Sequence, residues 1–224
     1  MTLAAAPPAV WQGSLFGAER PKVQDLGTLE RIQLDDATWI DLGRDVVHGS
    51  DEMFAALHDA LPWQAGRRPM YDRMVAVPRL CSHLPVSDPR FPPAVADLAA
   101  RLTSRYGPNF DHIGANLYRD GDDSVAWHGD RVGRRVSHPL IAVLSLGGSR
   151  MFRLRPRGGG AGRSIPLHSG DLLVMGGACQ HRWEHAVAKV RRAQPRISVT
   201  FRHDHEPEGS DGAGADGPPW MLSV

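Results

Sequence analysis

Four short stretches of this 224-residue chain carry residues that could do chemistry: Asn116-Leu117-Tyr118, His128-Gly129-Asp130, His185, and the run Arg196-Ile-Ser-Val-Thr-Phe-Arg202. Residues two apart in a strand point the same way, so His128 and Asp130 can face one ion together, and Gly129 puts no side chain on the opposite face. A His-x-Asp pair alone is weak evidence; His203-Asp204-His205 repeats the pattern in a polar C-terminal stretch. A third ligand must come from His181 or His185. His185 stands eleven residues before Arg196, which suits a return strand joined by a tight loop. Two imidazoles and a carboxylate leave open positions on non-haem Fe(II), which is the ligand set of an oxygen-activating centre rather than of a structural metal.

The arginine strand alternates. Ile197, Val199 and Phe201 share one face and belong to a core; Arg196, Ser198, Thr200 and Arg202 share the other. Two guanidiniums on the inner face of a barrel are costly without anions, and a dicarboxylate would satisfy both. Six strand residues span about 20 Å, so the two arginines must lean inward along the strand.

The order and spacing of these motifs resemble the AlkB family of Fe(II)- and 2-oxoglutarate-dependent dioxygenases. Asn116-Leu-Tyr118 resembles that family's Asn-x-Tyr strand, His128-Gly-Asp130 its His-x-Asp, Asp171-Leu-Leu-Val-Met-Gly-Gly177 the strand before its distal histidine, and Arg196 to Arg202 its Arg-x5-Arg signature. The resemblance covers roughly residues 60 to 203. It implies His128, Asp130 and His185 as ligands of Fe(2+), with O2 and 2-oxoglutarate as co-substrates. Arg196 would pair bidentately with the distal carboxylate of 2-oxoglutarate, Arg202 would lie near its metal-bound end, and Asn116 and Tyr118 would donate hydrogen bonds to it; Ser198 stands where the family often has Asn. The implied reaction is oxidative demethylation of N1-methyladenine and N3-methylcytosine in DNA, with release of formaldehyde. The alternatives are a relative acting on RNA or protein, or a catalytically silent nucleic-acid-binding protein on the same scaffold.

Charge points the same way. The net value of +1 hides a window, residues 131–170, with eight arginines and no acid, a local +8 that attracts polyanions. Upstream, Val77-Pro78-Arg79 resembles the segment after the nucleotide-recognition hairpin of the DNA-repair members, which puts Tyr71 where those members carry an aromatic finger for the gap left by a flipped base. Arg67, Tyr71, Arg73 and Arg157 are the candidate substrate contacts, with alkylated DNA as the expected partner and RNA as the alternative. Trp63 and Trp183 are further candidates to line the pocket.

The elements that must position these groups change character along the chain. Residues 50–61 read as a helix with Ser50 as N-cap, Asp51 and Glu52 in the first turn, and Met53, Phe54, Leu57 and Leu61 on one face. A second helix is expected from Pro93 to Tyr106, stopped by Gly107-Pro108. The period then becomes two, with strands near 112–119, 123–128, 139–146, 150–155, 164–167, 171–175, 184–189 and 196–202. Eight short strands after a helical part predict a mainly β protein with flanking helices (α+β), a double-stranded β-helix or jelly roll. The expected organisation is a mobile tail (1–27), one dioxygenase domain (28–203, of which 28–110 is the helical and nucleotide-recognition part and 111–203 the jelly-roll core) and a polar tail (204–224).

A composition of 42% hydrophobic and 23% charged residues is that of an ordinary globular protein. With two cysteines no disulfide framework is expected, and no apolar run is long enough for a membrane span. A cytoplasmic monomer is expected. Gln12-Gly13-Ser14-Leu15-Phe16 resembles the short Gln-x-x-Leu-Phe peptides that dock bacterial DNA-processing proteins on the replication sliding clamp, two apolar anchors on a free tether.

Overall fold

The computed structural model describes residues 19–70, 73–130 and 139–203. Tyr71 and the Gln12–Phe16 segment lie outside them. In chain order the elements begin with β1 (Lys22–Val23), β2 (Glu30–Gln33), β3 (Thr38–Gly43), β4 (Val47–His48) and α1 (Ser50–Ala60). A hairpin follows, β5 (Gln64–Met70) and β6 (Arg73–Pro85), then α2 (Pro93–Tyr106), β7 (His112–Tyr118), β8 (Val125–His128), β9 (Ile141–Gly147) and β10 (Arg150–Pro156). The chain continues through β11 (Arg163–Leu167), β12 (Leu172–Gly177), the single turn α3 (Cys179–Arg182), β13 (Trp183–Val187) and β14 (Arg196–Arg202).

Apart from the two-stranded ribbon β1-β4, the strands form two layers, antiparallel throughout. The larger sheet runs β2-β3-β12-β9-β14-β7-β6-β5, and the smaller runs β11-β10-β13-β8. Alternation along each strand decides what lies where. Ile40, Val143, Leu173 and Met175 of the large sheet cluster with Phe152, Leu154, Ile165, Leu167 and Val187 of the small one, which makes the inter-sheet core. The opposite face of the large sheet presents Ile113, Leu144, Val174, Ile197, Val199 and Phe201 to Met53, Phe54 and Leu57 of α1 and to Val95, Leu98 and Leu102 of α2. Leu98 is fully buried, and its truncation to Ala would cost about 2–5 kcal/mol. Two sheets with helices on the outer face of one are the expected jelly roll. Among the described residues, no helix is long and apolar enough to cross a membrane.

The N-terminal third differs from expectation in three ways. The tail does not extend to residue 27: Lys22 and Val23 pair with His48 and Val47, and Val23 and Leu26 are buried against the helices. The 28–110 part is not mainly helical, since β2, β3, β5 and β6 add four strands to the large sheet. Ser50 does not cap α1. Gly49 occupies the cap position at φ 65, and Ser50 Oγ instead accepts a hydrogen bond from Ser169 Oγ at 2.8 Å. α2 begins with Pro93 and closes at Gly107, where φ is 95 and glycine is favoured.

Candidate active site

His128 ends β8, Asp130 follows it, and His185 lies mid-strand on β13, directly opposite His128 in the pairing of the two strands. The sheet register therefore brings together residues far apart in sequence. The two imidazole centroids are 4.2 Å apart, His185 Nε2 is 3.6 Å from Asp130 Oδ2, and one ligand atom from each of the three residues lies within 4.8 Å of the others. His181, the other candidate third ligand, is exposed on α3 and is not part of this cluster.

Each member is held. His128 Nδ1 is 2.9 Å from the carbonyl oxygen of Ala126; a carbonyl only accepts, so Nδ1 carries the proton and Nε2 keeps its lone pair for a metal. The His185 ring stacks on Phe152 at 5.2 Å. The Asp130 backbone N–H donates to Gln180 Oε1 at 3.0 Å, and Arg202 Nη2 donates to Asp130 Oδ1. Between them, Gly129 is needed for space: a Cβ there would sit 2.2 Å from Arg157 Nη2 and 2.9 Å from the Gln180 carbonyl.

Burial, and then the neighbouring His128, push the His185 imidazole down to about 3. Burial likewise lowers His128. Burial opposes ionisation of Asp130, but the charges around it, the Arg202 guanidinium foremost, outweigh that and hold the carboxyl below its usual range. At neutral pH the set is two neutral imidazoles and one carboxylate, the protonation state a divalent ion requires. Cys179 is inert by comparison, since burial raises its thiol to about 12.

A cavity of about 510 Å³ opens beside the triad and runs between the sheets. β14 lies between β7 and β9, so Arg196 pairs with Tyr118, and Ser198 with Asn116. All four line the cavity, as do Thr200 and Arg202. Arg196 is 1% exposed. Its Nε donates to Ser145 Oγ at 2.9 Å, but its Nη1 has no hydrogen-bond partner, and neither does Nε of Arg202. A buried guanidinium left short of acceptors costs about 1–3 kcal/mol or more, so both point to an anionic occupant. Burial lowers Arg196 only to about 10, and it stays charged at neutral pH. Asn116 Nδ2 reaches Ser198 Oγ at 3.5 Å.

Three contributors were not singled out by sequence reasoning. Arg79 is 5% exposed, lines the cavity and donates from Nε to Asn116 Oδ1 at 2.8 Å; the Val-Pro-Arg motif held the signal. Gln180 and Ser145 carried none, because each acts through a neighbour that only the fold supplies.

The expected substrate side is placed less compactly. Arg67 and Arg73 stand on the β5–β6 hairpin, whose near end, Gln64 to Gly66 and Val77, lines the cavity. Arg157 lies behind the His128–Asp130 turn, donating from Nη2 to the Gln180 carbonyl at 3.1 Å, and does not line the cavity. The arginine-rich window is partly committed inside the fold: Arg150 is buried on three carbonyls and Arg155 bonds Glu184, whereas Arg153 and Arg163 are exposed. Neither tryptophan lines the pocket. Trp63 Nε1 donates to the His58 carbonyl, and Trp183 is core, donating to Asp35.

A jelly roll with this triad and these buried arginines defines an oxygenase scaffold. The model of the 2OG-Fe(II) oxygenase superfamily matches residues 81–202, and the chain belongs to that superfamily. It is similar to alpha-ketoglutarate-dependent dioxygenase alkB homolog 3 of Bos taurus, 33% identical over 68% of this chain and 61% of that protein. It also matches DNA oxidative demethylase ALKBH2 of Arabidopsis thaliana, 32% identical over 50% of this chain and 43% of that protein. The chain thus spans about half the length of the curated relatives it matches. A solved structure of OsALKBH1 superposes with a TM-score of 0.52 at 15% identity, covering 78% of this chain and 100% of that one, a likeness of fold. The relatives matched are alkB homologues, and one of them is named as an alpha-ketoglutarate-dependent dioxygenase.

Proposed function

We propose that this protein is an oxidative demethylase that removes methyl groups from N1-methyladenine and N3-methylcytosine in DNA, releasing formaldehyde. The observation that carries the reading is the pairing, in one cavity, of the His128–Asp130–His185 cluster with the unsatisfied Nη1 of buried Arg196. Two curated relatives bear names that state the chemistry, one a dioxygenase dependent on alpha-ketoglutarate and one a DNA oxidative demethylase.

The bound ferrous ion with O2 and 2-oxoglutarate supplies the oxidation of the methyl C–H bond. The residues do the positioning. His128, His185 and Asp130 would hold the ion, with Asp130 kept ionised and oriented by Arg202 and by the bond from its own N–H to Gln180. Arg196 takes the distal carboxylate of the co-substrate, its planar fork matching a carboxylate in a way an ammonium cannot. Asn116, oriented by Arg79, and Tyr118 on the same strand face complete that pocket. The hairpin end of the cavity, at Gln64, Gly66 and Val77, receives a base turned out of its stack. Arg67, Tyr71 and Arg73 further along the same hairpin are the proposed contacts to the strand. The segment Gln12–Phe16 is proposed as a tether to a sliding clamp, which a peptide of residues 8–20 tests by binding a bacterial clamp or failing to.

The test is formaldehyde release from oligonucleotides carrying one N1-methyladenine or N3-methylcytosine, matched as single-stranded DNA, duplex DNA and RNA. Release from DNA that requires iron and 2-oxoglutarate supports the reading. Release confined to RNA reassigns the substrate, and release from none of them removes it.

A further inference from the structure

We propose that Arg150 is a positioning residue for the co-substrate: a second buried cation that tightens the hold on a dicarboxylate through Tyr118. The inference rests on the reading that Arg196 meets the distal carboxylate. Arg150 opens β10 and is 4% exposed. Its N–H groups donate to the carbonyl oxygens of Asp120 at 3.0 Å, Asp123 at 2.9 Å and Ala188 at 2.7 Å. Among the described residues no carboxylate pairs with it; both Asp123 oxygens are taken by Arg119. Its hydrogen bonds all go to carbonyl dipoles, and the nearby carboxylates of Asp123 and Asp120 act on its charge without a direct ion pair among the described residues.

That charge faces the pocket through one ring. The Arg150 guanidinium carbon lies 5.6 Å from the Tyr118 ring centroid, and that of Arg196 lies 5.3 Å from the same centroid. Tyr118 is itself 3% exposed. The turn gathered by Arg150, residues 120–123, begins two residues after Tyr118, and its third acceptor, Ala188, directly follows β13, the strand that carries His185. One side chain thus lies over the Tyr118 ring, ties the loop behind it to the strand that carries His185, and adds positive potential at the Arg196 end of the cavity. Cation–ring contacts are strongest when desolvated, and two like charges in one buried region are mutually unfavourable until an anion arrives. A dicarboxylate relieves that repulsion; a monocarboxylic 2-oxo acid, which lacks the carboxylate at that end, does not.

The test is calorimetric affinity of the Mn(2+)-loaded protein for 2-oxoglutarate and for 2-oxobutyrate. Arg150→Gln keeps two N–H donors for the carbonyls and removes the charge. It should weaken 2-oxoglutarate about tenfold and leave 2-oxobutyrate unchanged, and Arg150→Lys, which keeps the charge but loses the guanidinium's planar fork of donors, should fall between. Unchanged 2-oxoglutarate affinity, or equal loss for both ligands, overturns the proposal, the latter marking a purely structural role. If Arg150→Gln does not fold, Arg150→Lys carries the test: a reduced preference for 2-oxoglutarate over 2-oxobutyrate supports it, and an unchanged preference overturns it. Arg196→Lys is measured alongside. If that variant binds 2-oxoglutarate normally, the pocket assignment itself has failed; if it binds poorly and Arg150→Gln binds normally, only the role of Arg150 has.

Discussion

His128 and His185 stand opposite each other on neighbouring antiparallel strands, with ring centroids 4.2 Å apart, although 57 positions separate them in the chain. Asp130 reaches the same point because Gly129 lets the chain turn tightly against Gln180 and Arg157. The candidate metal site is therefore a property of sheet register, and a shift of one residue would turn either imidazole outward.

Loss of any one ligand should disable the centre. His128→Ala, Asp130→Ala and His185→Ala are each expected to lower iron affinity at least roughly 100-fold, a loss at least as large as outer-shell changes give, and to abolish turnover. His181→Ala, on an exposed turn, should bind iron normally. His203→Ala should also bind iron but melt earlier, because its Nε2 accepts the Leu140 N–H at 2.8 Å and its ring packs edge-on against Phe110. Iron titration and melting curves on the five variants separate these outcomes; metal loss in His181→Ala with retention in His185→Ala would reverse the ligand assignment.

Gly129→Ala should damage the site without touching a ligand. The added methyl meets the movable end of Arg157, which can yield, and the Gln180 carbonyl at 2.9 Å, which cannot without shifting α3. The cost expected is about 1–3 kcal/mol, with weaker iron binding because Asp130 is displaced. Adding Arg157→Ala should recover only part of it. Full recovery in the double variant would mean that the backbone contact is harmless.

Arg196→Lys should raise the 2-oxoglutarate concentration needed for half-maximal turnover by more than tenfold, with a smaller effect on the maximal rate. A lysine ammonium cannot form the fork to a carboxylate and reaches less far toward it. Unchanged co-substrate dependence would remove Arg196 from the pocket.

Asp35 provides a pH prediction away from the metal. Burial alone would raise its carboxyl, but the Trp183 indole N–H at 2.6 Å and the Ala37 N–H outweigh that and hold it at about 2, against an ordinary value of 3.8. A depressed folded value means the stabilisation is fully present above about pH 4 and is lost as pH falls toward about 2. Asp35 is partly exposed, so the contribution is a few tenths to about 1 kcal/mol. Acid unfolding of Asp35→Asn should be shallower over that interval than wild type; identical acid profiles would show that the bond contributes nothing.

The core half of the fold was legible because it is written in alternation. From His112 to Arg202 each expected strand appears within two or three residues of its place, and Arg196, Ser198 and Thr200 face the cavity as their spacing required. The N-terminal half was read less well. β2 is mostly exposed (Glu30–Gln33) and, among the described residues, pairs only with β3; β3 is almost wholly buried, so it shows no alternation and joins the sheet through β12, about 130 residues away. The burial of Val23 and Leu26 was likewise hidden, since two isolated apolar residues in a Gly- and Pro-bearing stretch give no period. At the site, the proposed ligands and co-substrate residues announced themselves by type. The groups that orient them, such as Gln180 on Asp130 and Ser145 on Arg196, are ordinary residues made important only by where the chain brings them.

The central claim is that this cavity oxidises a methyl group on a DNA base. It is tested most directly by mass spectrometry of a single-stranded oligonucleotide carrying one N1-methyladenine, incubated with the iron-loaded protein, 2-oxoglutarate and air. The account predicts loss of the mass of one CH2 group from the oligonucleotide, with one formaldehyde formed per methyl lost, and no change with His128→Ala or when 2-oxoglutarate is omitted. Consumption of 2-oxoglutarate by the wild-type protein while N1-methyladenine and N3-methylcytosine oligonucleotides both keep their methyl groups would contradict it.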